Sequence, residues 1–366
     1  MRLRQITEAE RRKMGRDLNH LEDLVLFYGS EGAAEAIEIL HNLTSDNHDI
    51  SLKWDGIAAL FYGRDENGDF GMGTKGNWHK NEPMQSPEQI RDYIKTAGKG
   101  EDWRAVMAED FYQIYPMLER SVPLGFKGFV MGDLIYSPVL SPKTSTSDGI
   151  VFTPNKVTYT ANPKTAIGKR VAETHVGIAL HQRFDGWNSP NKAVVLDATV
   201  KTLNSNEVLA MGQTYAPKTP KLDDGALKKL EILAKKSGPI VDALIERRKG
   251  LSDISNILYT FNNQTVRGGD LSKVNVEGFF KWLATSKVSA NKQAKLAAIA
   301  EENPTAFPAL FELFKAVGDA KNMIIDQVDS EDTDIKASTA GQAGGEGYVS
   351  LKNKVKLVPR HRWTPG

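Results

Sequence analysis

The chain has 366 residues, 40% of them apolar and 25% charged, with a formal net charge of +1. A chain of this size and balance can bury the cores of more than one packed unit. Zero cysteines exclude disulfides, thiolate zinc sites and cysteine nucleophiles, leaving any metal chemistry to carboxylates and histidines. No apolar run reaches the ~18 residues of a membrane span, and "MRLRQITEAERRKMGRD" at the start lacks the apolar block of a signal peptide. A cytoplasmic protein with no membrane partner is therefore expected. The near-zero charge is no signature of a nucleic-acid binder, although a balanced total can hide local basic patches.

From Thr7 to about Leu43 the pattern predicts helices: Thr7 with Glu10 makes a capping box, and "SEGAAEAIEILHNL" places Ala33, Ile37 and Leu40 on one face. Residues 1–48 thus read as a helical segment. Between Ile50 and about Leu196 the texture changes to short runs rich in Val, Ile, Phe and Tyr: "GIAALFYG", "FKGFVMGDLIY", "DGIVFTPNKVTYT", "HVGIALHQRF" and "KAVVLDATV". Broken by Gly, Pro and Asn, they predict strands of a mixed or antiparallel sheet. Inside this region, "SPEQIRDYIKTAGKGEDWRAVMAEDFYQIYPMLERSV" has the spacing of one or two helices.

Two prolines in "TYAPKTPKLDDG" mark a boundary, after which 218–328 reads as an inserted helical module. The segment 329–345, "DSEDTDIKASTAGQAGG", is small, polar and Gly-rich and reads as a flexible linker. A last compact stretch, "EGYVSLKNKVKLVPRHRW", follows. The class expected is α+β, with a sheet domain assembled from 49–217 and 346–366.

In "ISLKWDGIAALFYG", Lys53 and Asp55 interrupt a strand-like stretch. A lysine at an exposed strand end followed by an Asp-Gly turn would explain them blandly. The sharper reading makes Lys53 a nucleophile, and three fixed residues alone cannot decide between the two. Companions occur downstream: "GTKGNWHK" places Lys75 beside Gly76, "VMGDLIY" puts Asp133 at the end of an apolar run, and "EGYVSLKNKVKLV" combines Glu346 and Gly347 with Lys354 and Lys356.

Together these resemble, in order and spacing, the motifs of the covalent nucleotidyltransferases, which include ATP-dependent DNA ligases, RNA ligases and mRNA capping enzymes. Lys53-Trp54-Asp55-Gly56 matches the first motif, Lys-x-Asp-Gly, and the resemblance implies that Lys53 becomes adenylylated. "TKGN" is similar to the second motif in its phage RNA-ligase form, and "GDLIY" to the Gly-Glu-Leu motif, with Asp133 in place of glutamate. "GIALHQRFDG" falls where the family carries an adenine-stacking group, here His181 or Phe184, with Phe152 a competing choice. "EGYV" resembles the fourth motif, and Lys354 with Lys356 the fifth, Lys-x-Lys. A rival for the fourth, "SDGIVFTP", follows Asp133 too closely and lacks trailing lysines.

The resemblance leans to the phage RNA ligase 1 type, because Ala58 stands where many DNA ligases carry arginine and because that type shares the "KG" turn and an "EGYV" box followed closely by Lys-x-Lys; an OB domain is not expected. It implies an ATP-grasp-like adenylation domain and an ATP-dependent polynucleotide ligase joining 5′-phosphate and 3′-hydroxyl ends of DNA or RNA, as in DNA repair. The alternatives are a capping-type guanylyltransferase using GTP and a non-catalytic nucleic-acid-binding protein with a degenerate nucleotidyltransferase fold. ATP and Mg²⁺ are the implied cofactors, nucleic-acid ends or nicks the implied partner of a monomer, and the host cytoplasm the location if the source is viral.

Physical chemistry agrees with these roles. A lysine attacks only as the free amine, which neighbouring cations favour, and Lys75, Lys354 and Lys356 would also neutralise the charge on a leaving pyrophosphate. Asp133 and Glu346 are the hard oxygen donors that Mg²⁺ prefers, while Gly56 and Gly347 would let backbone approach a nucleotide.

In the helical block, Lys228, Lys229, Lys235, Lys236, Arg247, Arg248 and Lys249 form a basic cluster. Most such runs are solvated faces; the functional reading is a phosphate-tracking clamp, with Arg247, Arg248 and Lys249 its candidate nucleic-acid contacts. Arg2, Arg4, Arg11, Arg12, Lys13 and Arg16 offer a second patch of the same kind.

Overall fold

A computed structural model of the chain describes residues 18–80, 82–96, 101–246, 253–267, 271–331 and 333–360. The Thr7 capping box, the arginine patch at 2–16 and the Arg247–Lys249 group lie outside the described residues. In chain order the strands are β1 Asn19–His20, β2 Ile50–Leu52, β3 Ala59–Arg64, β4 Phe70–Thr74, β5 Gly128–Tyr136, β6 Thr144–Ser145, β7 Ile150–Phe152 and β8 Val157–Ala161. There follow β9 Val176–Phe184, β10 Lys192–Val194, β11 Val208–Met211, β12 Ile335–Thr339, β13 Gln342–Ala343, β14 Tyr348–Ser350 and β15 Val355–Leu357. The helices are α1 Asp23–Leu43, α2 Lys75–Trp78, α3 Pro87–Thr96, α4 Glu101–Ser121, α5 Ala166–Glu173 and α6 Asp197–Thr202. A later group comprises α7 Asp224–Glu246, α8 Ile254–Arg267, α9 Val276–Thr285, α10 Ala290–Glu302 and α11 Ala306–Asp329. The protein is α+β with mixed sheets, and among the described residues no helix is long and apolar enough to cross a membrane.

The chain divides into two units. Residues 52–215 and 332–346 form one; residues 1–51, 216–331 and 347–366 form the other. This partition differs from the one expected from sequence. The block 218–328 is not a module by itself: α1 from the N-terminal segment packs among α7 and α11, and the C-terminal strands belong with these helices and not with the large sheet. Apolar stripes need partners, and the stripe of α1, with Leu24, Val25, Ala33, Ala36, Ile39 and Leu40 all buried, finds them in helices distant in sequence.

The sheet-rich unit holds two sheets. The larger has the order β10-β9-β5-β3-β4, with β11 added parallel to the first half of β9. One face, bearing Leu60, Tyr62, Val130, Leu134 and Ile178, is covered by Ile90 and Ile94 of α3 and Phe111, Ile114 and Leu118 of α4. The opposite face divides into two clusters: Phe61, Phe129 and Phe184 with Trp78, and Ile135, Tyr136 and Ala179 with Trp54, Phe152 and Tyr159. Those last two aromatics come from the second sheet, β13-β12-β8-β7-β6.

The segment expected to be a flexible linker supplies β12 and β13. Ile335 to Thr339 pairs residue for residue with Ala161 to Val157 of β8, and Ile335 is buried in the shared core. Ala340 and Gly341, both at positive φ, make the two-residue turn to β13. That backbone is the left-handed turn that matches strand twist, so small polar residues here mark a hairpin rather than disorder.

The helix-rich unit carries the sheet β1-β15-β14-β2, in which β1 runs parallel to β15 and β14 antiparallel to it. Among the buried charged side chains of this unit, four form one cluster. Lys321 donates to both carboxylate oxygens of Glu22 at 2.8 and 2.9 Å and to the Val358 carbonyl at 2.9 Å, and Arg360 reaches Glu22 at 2.9 Å and Asp23 at 2.5 Å. This cluster ties the start of α1 to α11 and to the segment after β15.

Candidate active site

Lys53 stands in the loop between β2 and β3, which Trp54 anchors: its ring is buried and lies 4.8 Å from that of Tyr159. Anchoring Trp54 fixes the direction of its neighbour. The Lys53 ammonium contacts the carboxylate of Glu346, the residue that precedes β14 by two positions, with 24% and 17% of the two side chains exposed. These groups from the first and fourth sequence motifs therefore meet in a partly shielded place.

Asp55 is held on three sides. Its backbone N–H donates to the Tyr159 hydroxyl at 2.7 Å, its Oδ1 accepts from the Asn155 amide at 3.0 Å, and its Oδ2 accepts from the Lys156 backbone N–H at 3.1 Å. Both carboxylate oxygens thus serve the turn between β7 and β8. Tyr159 was not singled out by sequence, where "VTYTA" shows only alternation. Burial pushes its phenol far up, with the nearby charges of Asp55, Glu346 and Asp133 adding to the shift, so it remains a protonated hydroxyl.

Gly56 has a steric role. A Cβ there would lie 2.5 Å from the Asp133 Cβ and 2.9 Å from the Leu134 carbonyl oxygen, because Ile57 N–H donates to that carbonyl at 2.9 Å. The motif glycine lets the Lys53 loop lie against β5 exactly where β5 carries Asp133.

Asp133 pairs in register with Ala59 of β3 and Ala179 of β9. Two alanines beside a carboxylate leave a low floor on that face. The Asp133 carboxylate lies 3.0 Å from Nε2 of His181. Register explains this meeting: β5 pairs Met131 with Gln182 and Gly132 with Leu180, leaving His181 as an extra residue on β9. A bulge of this kind re-aims side chains and here puts His181 and Phe184, three residues apart, on one face. His181, partly exposed, remains available to a ligand. Phe184 and Phe152 do not, because both are buried within aromatic clusters.

"TKGN" proves to be a helix start. Asn77 Oδ1 accepts from the Thr74 backbone N–H at 2.7 Å, closing a capping box on α2, and Asn77 is buried. Lys75 and Gly76 are the exposed members, and Thr74, opposite Leu60 on β3, places Lys75 level with the Ala59–Asp133 row.

Lys354 and Lys356 belong to the helix-rich unit. Lys354 has φ +54° in the β14–β15 turn, its N–H donating to the Leu351 carbonyl at 3.2 Å, and Lys356 lies on β15 opposite Val349. Gly347, at φ +118°, allows close approach to the Leu357 carbonyl, 2.4 Å from where a Cβ would be. Lys228, Lys229, Lys235 and Lys236 are all exposed on α7.

Among the described residues no group of three or more His, Asp and Glu side chains is arranged to cage a metal. A hydrated Mg²⁺ commonly takes only one or two carboxylates and keeps its waters, a smaller demand than such a cage.

Residues 16–364 match a family of unknown function (DUF6267), and the chain belongs to that family. No curated protein and no solved structure matches it.

Proposed function

We propose that the protein is an ATP-dependent polynucleotide ligase in which Lys53 carries AMP. The observation that carries the reading is the contact between Lys53 and Glu346, brought from opposite ends of the chain to the edge of a carboxylate-bearing sheet face. In the first step the Lys53 amine gives up a proton, for which the Glu346 carboxylate is the nearest base, and attacks the α-phosphorus of ATP. A P–N bond forms, the bond from the α-phosphorus to the bridging oxygen breaks, and pyrophosphate leaves with those electrons. An oxygen of a 5′-phosphate end then attacks the same phosphorus, breaking the P–N bond and restoring the lysine. Finally a 3′-hydroxyl attacks the activated 5′-phosphate, losing its proton to a base, and AMP departs.

Asp133 and Glu346 would hold Mg²⁺, which would supply charge neutralisation on phosphate oxygens. His181, oriented by Asp133, offers its ring to the nucleotide by stacking or by hydrogen bond. Lys75 offers a mobile positive charge for the phosphates.

The test is incubation with Mg²⁺ and ATP or GTP labelled at the α-phosphate, followed by denaturing electrophoresis and intact mass. Covalent AMP on the wild type and none on Lys53→Ala is the expected result. Absence of label with both nucleotides, from protein shown not to be already adenylylated, would overturn the reading; label from GTP alone would make it a capping-type enzyme.

A further inference from the structure

A second recess lies within the sheet-rich unit, beside the Phe61–Phe129–Phe184 cluster. It is an open groove of about 730 Å³, and Trp187, Asn188, His79, Lys80, Gln85 and Gln89 line it together with the carboxylate-bearing Glu82. None of these residues takes part in the Lys53 site.

The recess is built on an ordered aromatic base. Trp187 lies over Gly73, where a Cβ would come within 2.5 Å of the indole, and it packs 4.6 Å from Trp78 and edge-on 5.2 Å from Phe129. Those contacts hold the ring without burying it completely. Beside it, Asn188 adopts φ +56°, a backbone conformation uncommon outside glycine, and its amide oxygen meets His79 Nδ1 at 3.3 Å. Across the recess, Gln85 N–H donates to Gln89 Oε1 at 2.8 Å, which fixes the acceptor end of that amide and leaves its nitrogen to donate elsewhere. His79 and Lys80, exposed, follow directly on α2, the helix that begins with Lys75.

A held aromatic ring, three side-chain amides and two adjacent basic groups form a specific combination. Nucleobases stack on indole rings, amides match the donor and acceptor pattern of base edges, and a phosphodiester can pair with the Lys80 ammonium and accept a hydrogen bond from the His79 ring. The recess also adjoins the sheet face of the candidate active site: Phe129 and Met131, in and beside the aromatic cluster, alternate along β5 with the same parity as Asp133.

We infer that this recess binds one nucleotide of a single-stranded polynucleotide, with its base against Trp187 and its phosphate at His79 and Lys80. Naming that strand as the acceptor rests on the lysyl-AMP reading; its binding does not.

The experiment measures the affinity of short 5′-phosphorylated single-stranded DNA and RNA oligonucleotides by fluorescence anisotropy. Wild type is compared with Trp187→Ala and with the double variant Lys80→Ala/Gln89→Ala, whose positions are exposed and not part of a core. Loss of one base–aromatic stack weakens binding by roughly 5- to 100-fold, the effect expected for Trp187→Ala. A loss of affinity and a shallower salt dependence are expected for the double variant at unchanged melting temperature. Unaltered affinity in the double variant, absence of strand binding by the wild type, or preference for a neutral oligosaccharide would each overturn the inference. Self-labelling with ATP is read separately: strand binding without label sinks the lysyl-AMP reading alone, and label without strand binding sinks the recess alone.

Discussion

The ammonium of Lys53 and the carboxylate of Glu346 form an ion pair between a loop near the start of the chain and a residue near its end. Both are about one-fifth exposed, so the pair is a poor stability device but a good way to orient an amine. Replacing Glu346 with Gln is expected to slow self-adenylylation by about 100-fold or more, the usual cost of removing a general base, while changing the melting temperature little. Single-turnover labelling and thermal unfolding on the same preparation check this. Equal labelling rates would show that the Glu346 carboxylate is not required for the transfer.

Gly56→Ala tests the close approach of the Lys53 loop to β5. The added methyl would collide with the Asp133 Cβ and the Leu134 carbonyl, so backbone must move. A cost of about 1–3 kcal/mol is expected, as in other overpacked sites, together with a loss of labelling larger than the stability change explains. Chemical denaturation and the labelling assay measure the two effects.

Asp55 separates a turn-holding role from a nucleotide-binding one. Because its oxygens accept from Asn155 and Lys156, Asp55→Ala is expected to cost about 1–3 kcal/mol of stability, and Asp55→Asn less, since one acceptor oxygen survives. A raised KM for ATP with no change in unfolding would instead assign the carboxylate to the nucleotide.

The buried charges of the helix-rich unit predict a pH dependence. Burial raises the Asp23 carboxyl from 3.8 to about 6, outweighing its contact with Arg360. Between these values the folded chain holds a proton that the unfolded chain has lost, so the contribution of Asp23 to stability is full below about pH 4 and is lost as pH rises through 6. Asp23→Asn should abolish that slope, which denaturation at several pH values between 4 and 7 would reveal. Glu22 acts oppositely: Lys321 and Arg360 overcome its burial and hold its carboxyl below the usual range, so its contribution is lost on acidification. Arg360→Ala leaves both acids buried without that partner and is expected to cost about 3–5 kcal/mol.

The strand and helix textures were legible because hydrophobic period is a local property. β3, β5 and β9 fall within the runs that read as strands, and α3 and α4 within the stretch that read as helical. The hairpin of β12 and β13 was not, because Ala, Ser, Thr and Gly form either a coil or an outer strand, and its pairing with β8 comes from the other side of the helical block. Partition into units failed for the same reason: which stripe covers which is decided by shape complementarity between segments far apart in sequence. In the candidate site, Lys53, Asp133 and Glu346 could be picked by residue type and order, whereas Tyr159 and Asn155 could not, since no local pattern marks a side chain that holds another residue.

By itself the sequence determined the chemistry on offer: no thiols, a Lys-x-Asp-Gly stretch, two later carboxylates and enough apolar surface for two cores. Tertiary structure alone decided which of these residues meet. It paired Lys53 with Glu346, turned Asp55 into a clasp for the β7–β8 turn, and used one extra residue in β9 to bring His181 to Asp133. The physical reason is reach: periodicity and capping act over a few residues, whereas ion pairs, registers and bulges depend on where strands distant in the chain come to lie.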